Sequence, residues 1–504
     1  MSAEERVEEL PPWTFPARLR GMLSRPRVLL FLTLFGVYAY FYQAGGWNQN
    51  SRFDLTRALV EQGSFVIDRY AHNTGDDSVK DGHHYCDKAP GASFLCVPVY
   101  AVFHRLAARP NPMPPDLLAV GVWLCIVLAV SLPSALGATY LERLAFALGV
   151  PPPASFVLAL AYGLGTMALP YSTLLYGNQL SGSLLVIAFA LLVEVRFGKA
   201  ATWARAFGAG ACLGYAVVTE YPAALVAAPL AAYGLFVLDR RCAGALILGG
   251  VAAGALLLGY HSYVFGGPLR FPYHYSIWPT PHTGWFMGIG RPNGEALTGI
   301  LTGEYRGLFH TAPWLAFALP GALLLARRYL LETLLCVWAV LALLWLNASI
   351  PPWDGGWASG PRYLVPMLPF ASLLAGGVLP WLLPRPGQPS AQLSVRLAGV
   401  VLFGWLTLHS VAQQFAVTAV KPELPTHLRR PYAELVWPSF RRGELAISTQ
   451  SIEMRDNPTG APRQAWNLGM KLGLSGHLSL VPLYAWVAAT LAGLIRALST
   501  RSPS

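Results

Sequence analysis

Carboxylates and cations that a bilayer would reject recur at a few positions of this chain, and these are the residues able to do chemistry. Asp54, Asp87 and Glu220 offer carboxylates, Arg52, Lys88, Arg306 and Arg362 offer cations, and Tyr85 offers a ring with a hydroxyl. A carboxylate can take a proton from a hydroxyl. The cations can neutralise phosphate oxygens, Arg through its planar fork and Lys as a point charge. The richest stretch runs over 48–91, NQNSRFDLTRALVEQGSFVIDRY…DGHHYCDKAPG, a polar loop between apolar segments and far longer than a helix connection needs.

Within it, RFDLTRALVEQGSFVI sets Phe53, Leu55, Leu59, Val60 and Phe65 among Asp54, Arg57 and Glu61. That pattern predicts a short helix lying on the membrane surface, capped by Asn50 or Ser51, ending at Gly63 and holding Asp54 near the membrane plane. Lys88 sits in CDKAPG, where Pro90 and Gly91 turn the chain into the next helix, so its ammonium falls at the depth of lipid phosphates. The plainer role is a pair with Asp87 or snorkelling to ordinary phospholipid. Arg362, in GPRY, can bind phosphate or anchor to Asp354; Arg306, in EYRGLF, faces the same choice with Glu304, and the pair is favoured there. Glu220, in TEYP between two apolar runs, can orient a substrate hydroxyl or simply touch water or an Arg.

His83, His84, Asp76, Asp77 and Asp81 crowd one stretch, but adjacent histidines do not turn both rings to one ion and no i, i+4 His pair is present. Solvation is therefore expected, with His and Tyr85 available to stack on a ring of substrate, and no metal or other cofactor is expected. Of six cysteines, Cys86 and Cys96 are the pair that an oxidising compartment could join.

The elements that must position these residues are membrane spans. The 504 residues are 54% hydrophobic and 12% charged, half the charge of an ordinary soluble domain. The fold class expected is all-α, a polytopic membrane protein with about 12 transmembrane helices (11–13) and surface helices in its first outer loop. Spans are expected near 28–45, 117–138, 153–170, 177–195, 204–219, 222–238, 243–264, 307–326, 330–348, 363–383, 395–418 and 479–496. The apolar stretch 90–107 lies on or dips into the outer leaflet, unless it spans in place of 153–170. Arg196, Lys199 and Arg205, Arg240 and Arg241, Arg327 and Arg328, Arg385 and Arg396, and Arg496 and Arg501 then share the cytoplasmic side.

The organisation expected is a cytoplasmic tail over 1–27, a membrane domain over 28–418 containing the periplasmic loop 46–116, a periplasmic cap over 419–478, and a last helix with a cytoplasmic tail over 479–504. The first apolar run reads as a retained signal anchor, and the location as a bacterial inner (plasma) membrane with both termini cytoplasmic. The net charge of +11 falls in short gaps between spans, where it serves topology and lipid headgroups, so no nucleic-acid partner is expected. Loop 265–306, rich in aromatic residues, Pro and Gly, suits a substrate wall or an interfacial aromatic belt.

A loop directly after the first span, a helix RALVEQGSFVI and then DGHHYCDKAPG before an apolar run resemble the start of GT-C class membrane glycosyltransferases, of the family 39 type that includes protein O-mannosyltransferases and lipid A aminoarabinose transferases. The run WDGGWASGPRYLVPMLPF, 353–370, resembles a segment of bacterial members. The resemblance implies transfer of a sugar from a polyprenyl-phosphate donor to a periplasmic acceptor that is a lipid, glycan or protein. Such a reaction needs a base for the acceptor proton and cations for the leaving phosphate. Asp54 is the base it suggests, with Lys88 and Arg362 on the phosphate and Asp87, Tyr85, Arg52, Glu220 and Arg306 around the substrate. The family's acidic pair falls on Asn48 and Gln49, which cannot accept a proton. An inactive or accessory relative therefore stays open, as does a transporter.

Overall fold

In a bilayer core every backbone N–H and C=O has to be satisfied within the protein, so the apolar runs of this chain become helices. The computed structural model describes residues 25–107, 113–277, 289–384, 389–448 and 465–500. It is an all-α polytopic membrane protein. Among the described residues seven helices are long and apolar enough to cross a membrane, and four shorter apolar helices, Gly91–Leu106, Ala154–Leu164, Tyr221–Val237 and Pro313–Ala326, accompany them.

In chain order the elements that matter for the site are α1 (Arg25–Ala39), β1 (Phe41–Tyr42), α2 (Trp47–Arg57), β2 (Asp77–Lys80), β3 (His83–Cys86), α3 (Gly91–Leu106), α4 (Pro115–Ala147), α5 (Ala154–Leu164), α6 (Gly177–Arg196), α7 (Trp203–Thr219) and α8 (Ala224–Val237). They are followed by α9 (Arg240–Phe265), α10 (Gly294–Thr302), α11 (Pro313–Ala326), α12 (Leu330–Ser349), α13 (Arg362–Leu382), α14 (Ser390–Val420), α15 (Trp437–Arg442), β4 (Trp466–Asn467) and α16 (Gly476–Ser499).

Most expected spans reappear as helices, with three differences. The first stops at Ala39, because Phe41 and Tyr42 pair antiparallel with Asn467 and Trp466. The 153–170 segment is not one helix: α5 ends at Leu164, and Ala168–Tyr171 forms a separate turn. The 90–107 stretch forms α3, which packs against α4 so tightly that a side chain at Gly121 would meet Phe103 and Tyr100.

One large core runs through the bundle, from Leu34 and Tyr38 of α1 to Phe189 of α6 and Phe370 of α13. Apolar burial alone cannot hold helices together in lipid, and close backbone approach at small residues does that work. A Cβ on Gly210 of α7 would run into the Leu246 carbonyl oxygen, and one on Gly249 of α9 into that of Phe207. At the end away from α2, ion pairs with buried carboxylates join helices: Arg27 to Glu142 at 2.6 Å, the buried Arg143 to Glu194 at 2.6 Å, and the exposed Arg196 to Glu332 at 3.2 Å, while Lys199, just past α6, adds a second cation to Glu194 at 2.8 Å. Arg196, Lys199 and Arg27 thus share one end, whereas Arg385 and Arg501 lie outside the described residues.

The first loop departs from the surface helix expected. Helix α2 starts earlier, on an extended Gly46, so Asn50 and Ser51 lie inside it and cap nothing. It continues through a π-turn, Ala58–Gln62, and stops where Gly63 adopts φ +65°. Every residue from Asn48 to Arg57 is buried. A polar helix can be buried only if its side chains find partners. Asn50 donates to Asn73 O at 2.7 Å, Thr56 to Ser93 O at 3.1 Å, and Arg52 to Ala89 O at 2.9 Å. Beyond α2, β2 and β3 form a hairpin not foreseen from the sequence, closed by Asp81 and Gly82 at φ +54° and +81°. Cys86 and Cys96 are both free and buried, with no disulfide between them.

Candidate active site

Two faces of α2 do different things. Arg52 and Asp54 stand two residues apart, roughly 200° around the helix. Arg52 donates to Glu220 Oε1 at 2.7 Å and to Asn48 Oδ1 at 3.1 Å. Glu220 is thereby the counter-ion of Arg52, the plainer of its two expected roles. Asp54 belongs to the other face, where Asn73 Nδ2 donates to its Oδ1 at 3.1 Å and its buried Oδ2 has no partner among the described residues. Burial lifts the Asp54 carboxyl to about 8 against the pull of Arg57 and Asn73. Nearby, Glu61 accepts from Arg57 at 2.9 Å and from Tyr100 at 2.8 Å. Burial acts to raise its carboxyl, and these partners outweigh it and hold it low.

The hairpin delivers Asp87 and Lys88 to the bundle. Lys88 Nζ lies 2.9 Å from Asp87 and 3.0 Å from Asp76, so the expected pair forms and gains a second carboxylate. Burial works against the charge on Lys88, and the two carboxylates outweigh it and raise the ammonium above its ordinary value. Burial pushes Asp87 up to about 6 against the attraction of Lys88. The strand alternation of β3 sends the histidines apart: His83 meets Asp68 at 2.7 Å, and His84 meets Asp77. Among the described residues no group of three or more His, Cys, Asp or Glu is placed to hold a metal ion. Tyr85 packs its ring on Phe265 at 5.9 Å and makes no hydrogen bond to Lys88.

The other two expected cations sit together, and neither takes the partner expected. Glu304 pairs with Arg430 at 2.6 Å on the exposed surface, while Asp354 accepts from Tyr305 at 2.9 Å and from Gly356 N at 3.1 Å. Arg306 is fully buried, stacked 4.2 Å over Tyr305, and donates through one nitrogen to Leu424 O at 3.0 Å and Gly356 O at 3.2 Å. Its Nε and second terminal nitrogen have no partner among the described residues. Arg362 lies between the rings of Tyr363 and Tyr176, at 5.2 and 5.4 Å, and donates to the Tyr176 hydroxyl at 3.3 Å. The turn Gly355–Gly356, with φ +70° and +72°, brings the two arginines together: Arg306 holds its carbonyl, and a Cβ on Gly355 would lie 3.0 Å from Arg362 Nε. Neither forms an ion pair among the described residues.

These groups form one neighbourhood. Tyr273 feels the charges of Glu220, Lys88 and Asp87 and the nearby Tyr363, whose ring Arg362 covers. Tyr171 feels Arg362, Arg306 and Glu423. Asp54 shares no hydrogen bond or ion pair with Lys88, Arg306 or Arg362. A cleft of about 490 Å³ opens beside α14, lined by Trp405, His409, His310 and Trp437 and closed inward by Tyr432. The Tyr432 hydroxyl donates to Ser359 O at 3.1 Å and feels Arg306 and Tyr171 from behind.

Sequence reading missed Glu423 and Tyr176. Glu423 follows the apolar run of α14 directly, the same span-end signal that singled out Glu220 and Arg362, but it reads as part of a loop. Segments 278–288 of the aromatic loop and 449–464 of the expected cap lie outside the described residues. Within the described part of that cap, Tyr432–Val436 and α15 pack on Ala416 and Val417 of α14.

No family model matches the chain, and no curated protein matches it. Solved structures do. The chain is similar to ArnT from Cupriavidus metallidurans bound to undecaprenyl phosphate, at 17% identity over 94% of this chain and 74% of that one, with a TM-score of 0.45. It is similar to the archaeal oligosaccharyltransferase AglB from Archaeoglobus fulgidus in complex with an inhibitory peptide and a dolichol-phosphate, at 12% identity over 77% and 56%, TM-score 0.45. A third is the arabinofuranosyltransferase AftD from Mycobacteria, at 16% identity over 79% and 27%, TM-score 0.47. At identities of 12–17% the function of this chain rests on its own residues.

Proposed function

We propose that this protein is a membrane glycosyltransferase that moves a sugar from a polyprenyl-phosphate donor to a hydroxyl-bearing acceptor at the end of the bundle carrying α2, the periplasmic side of a bacterial inner membrane. The observation that carries the reading is Arg306: a fully buried guanidinium with two unpartnered nitrogens, beside an Arg362 that has no ion pair among the described residues. Burying uncompensated charge costs on the order of several kcal/mol, and an anion entering between the arginines removes that cost. A phosphate fits the forked donors, and the half-buried rings of Tyr305 and Tyr363 offer flat surfaces for a sugar.

In the mechanism proposed, Arg306 and Arg362 hold the phosphate and stabilise the charge it gains as the sugar departs. Lys88 completes the set with less net charge, because Asp76 and Asp87 already sit on it. Arg52 and Glu220 brace α2 against the α7–α8 turn. Asp54 of the first loop, its carboxyl lifted to about 8, keeps its proton at neutral pH and shares no hydrogen bond or ion pair with Lys88, Arg306 or Arg362, so the acceptor proton is not routed through it.

Binding of undecaprenyl phosphate to the purified protein in lipid nanodiscs tests the reading. Arg306→Ala should weaken it at least tenfold, about 1.4 kcal/mol, and Lys88→Ala by less. Equal affinity in wild type and Arg306→Ala would sink the assignment. In the cell, a deletion strain should accumulate the lipid-linked sugar and lack one envelope glycan or lipid modification; unchanged profiles would point to a transporter or an inactive relative.

A further inference from the structure

Glu423 comes from the segment after α14, far in sequence from the first loop, and ends at the start of α2. Its side chain is 3% exposed. Gln49 Nε2 donates to its Oε2 at 3.1 Å, and the Tyr176 hydroxyl donates to its Oε1 at 2.9 Å. That same hydroxyl accepts from Arg362 at 3.3 Å, so one oxygen links the carboxylate to a cation of the proposed phosphate site. On the other side, Leu424 O, the next carbonyl along, accepts from Arg306 at 3.0 Å. The fit at the start of α2 is close: a Cβ on Gly46 would lie 2.5 Å from Glu423 Oε1, and Gln49 is fixed in turn by Leu175 N, which donates to its Oε1 at 2.9 Å. The carboxylate is thus buried, oriented by Gln49 and Tyr176, and one hydroxyl away from the arginines, whereas Asp54 points to the opposite face of α2.

We propose that Glu423 is the catalytic base, taking the proton of the acceptor hydroxyl at the Arg306–Arg362 site. The inference rests on the glycosyltransferase reading above. The acceptor oxygen forms a bond to the anomeric carbon as the bond from that carbon to the lipid phosphate breaks. The breaking bond's electron pair leaves on the phosphate, the hydroxyl proton passes to the Glu423 carboxylate, and Glu423 returns it to water before the next turnover. Tyr176 is a positioning residue, holding the carboxylate and Arg362 in register. Asn48 and Gln49 need no charge in this scheme, because the carboxylate reaches the start of α2 from outside it.

The test uses full-length protein in nanodiscs, with undecaprenyl phosphate as the binding probe and, as substrate, a lipid extract of the deletion strain. Glu423→Gln should lower the transfer rate at saturating extract at least a hundredfold, with the half-saturating amount of extract and the affinity for undecaprenyl phosphate within twofold of wild type. Asp54→Asn should retain a rate within tenfold. A Glu423→Gln rate within threefold of wild type overturns the proposal, as does loss of undecaprenyl phosphate binding in step with turnover, which marks a structural role. If Glu423→Gln lowers the thermal midpoint sharply, Glu423→Asp takes its place: tenfold or more slowing with binding kept supports the proposal, and an unchanged rate overturns it. Wild-type protein that neither binds the probe nor transfers sugar overturns the glycosyltransferase reading, and this inference with it. A competent wild type with a competent Glu423→Gln overturns Glu423 alone.

Discussion

Asp54 shows what burial does to a single side chain. In the folded chain its carboxyl is lifted to about 8, while in the unfolded chain it returns to an ordinary value of about 4. Between those values the folded state holds a proton that the unfolded state has released, so its contribution to stability is complete below about pH 4 and is lost as pH rises through about 8. The thermal midpoint of the detergent-solubilised protein should therefore fall from pH 5 to pH 8 more steeply in wild type than in Asp54→Asn, and parallel pH profiles would refute the shifted carboxyl. Cys86 makes the converse case. It lies in the loop where a thiol reagent would be expected to find it, yet it is fully buried and burial pushes its thiol up to about 11. It should resist labelling in the native protein and react after denaturation.

At the scale of elements, the hairpin β2–β3 was legible and overlooked. Asp-Gly between short strands is the residue pair that a type I′ turn requires, since both positions need positive φ. The run SVK-DG-HHYC carries mostly polar side chains on both faces of its strands, so the alternation of apolar and polar residues that marks a half-buried strand is missing and it resembles a solvated loop. Helix α2 was legible in type and in its stop at Gly63, but its burial was not, since a helix with polar residues on every side resembles a surface element until its partners are known. Two helix contacts yield predictions. Gly210→Leu should force α7 and α9 apart and lower the thermal midpoint, whereas Gly244→Leu on α9, where the added Cβ meets nothing within 4 Å, should leave it nearly unchanged. Glu194→Ala strands Arg143 and Lys199 between α4 and α6, and about 3–5 kcal/mol of destabilisation is expected without effect on undecaprenyl phosphate affinity.

Across the whole molecule, the proposed chemistry and the ion pairs of Arg27, Arg143, Arg196 and Lys199 occupy opposite ends of the bundle. Positive charge marks the cytoplasmic side, so the α2 end should face outward. Asp81→Cys, in the exposed hairpin turn, should react with a membrane-impermeant maleimide in intact spheroplasts, and Arg241→Cys, exposed at the start of α9, only after lysis. The reverse pattern would invert the protein and remove its access to an outer acceptor.

The amino-acid order by itself determined the helical class, the approximate spans and the set of charged residues worth weighing. Those depend on local hydrophobicity and on the cost of charge near lipid, both properties of a segment taken alone. Which charges would cancel one another was decided only by tertiary structure. Arg52 found Glu220, Lys88 found two carboxylates, Arg306 and Arg362 formed no ion pair among the described residues, and Glu423 arrived at α2 from 374 residues beyond Gln49. Electrostatic pairing falls off over a few ångströms, and distance along the chain says nothing about distance in the fold.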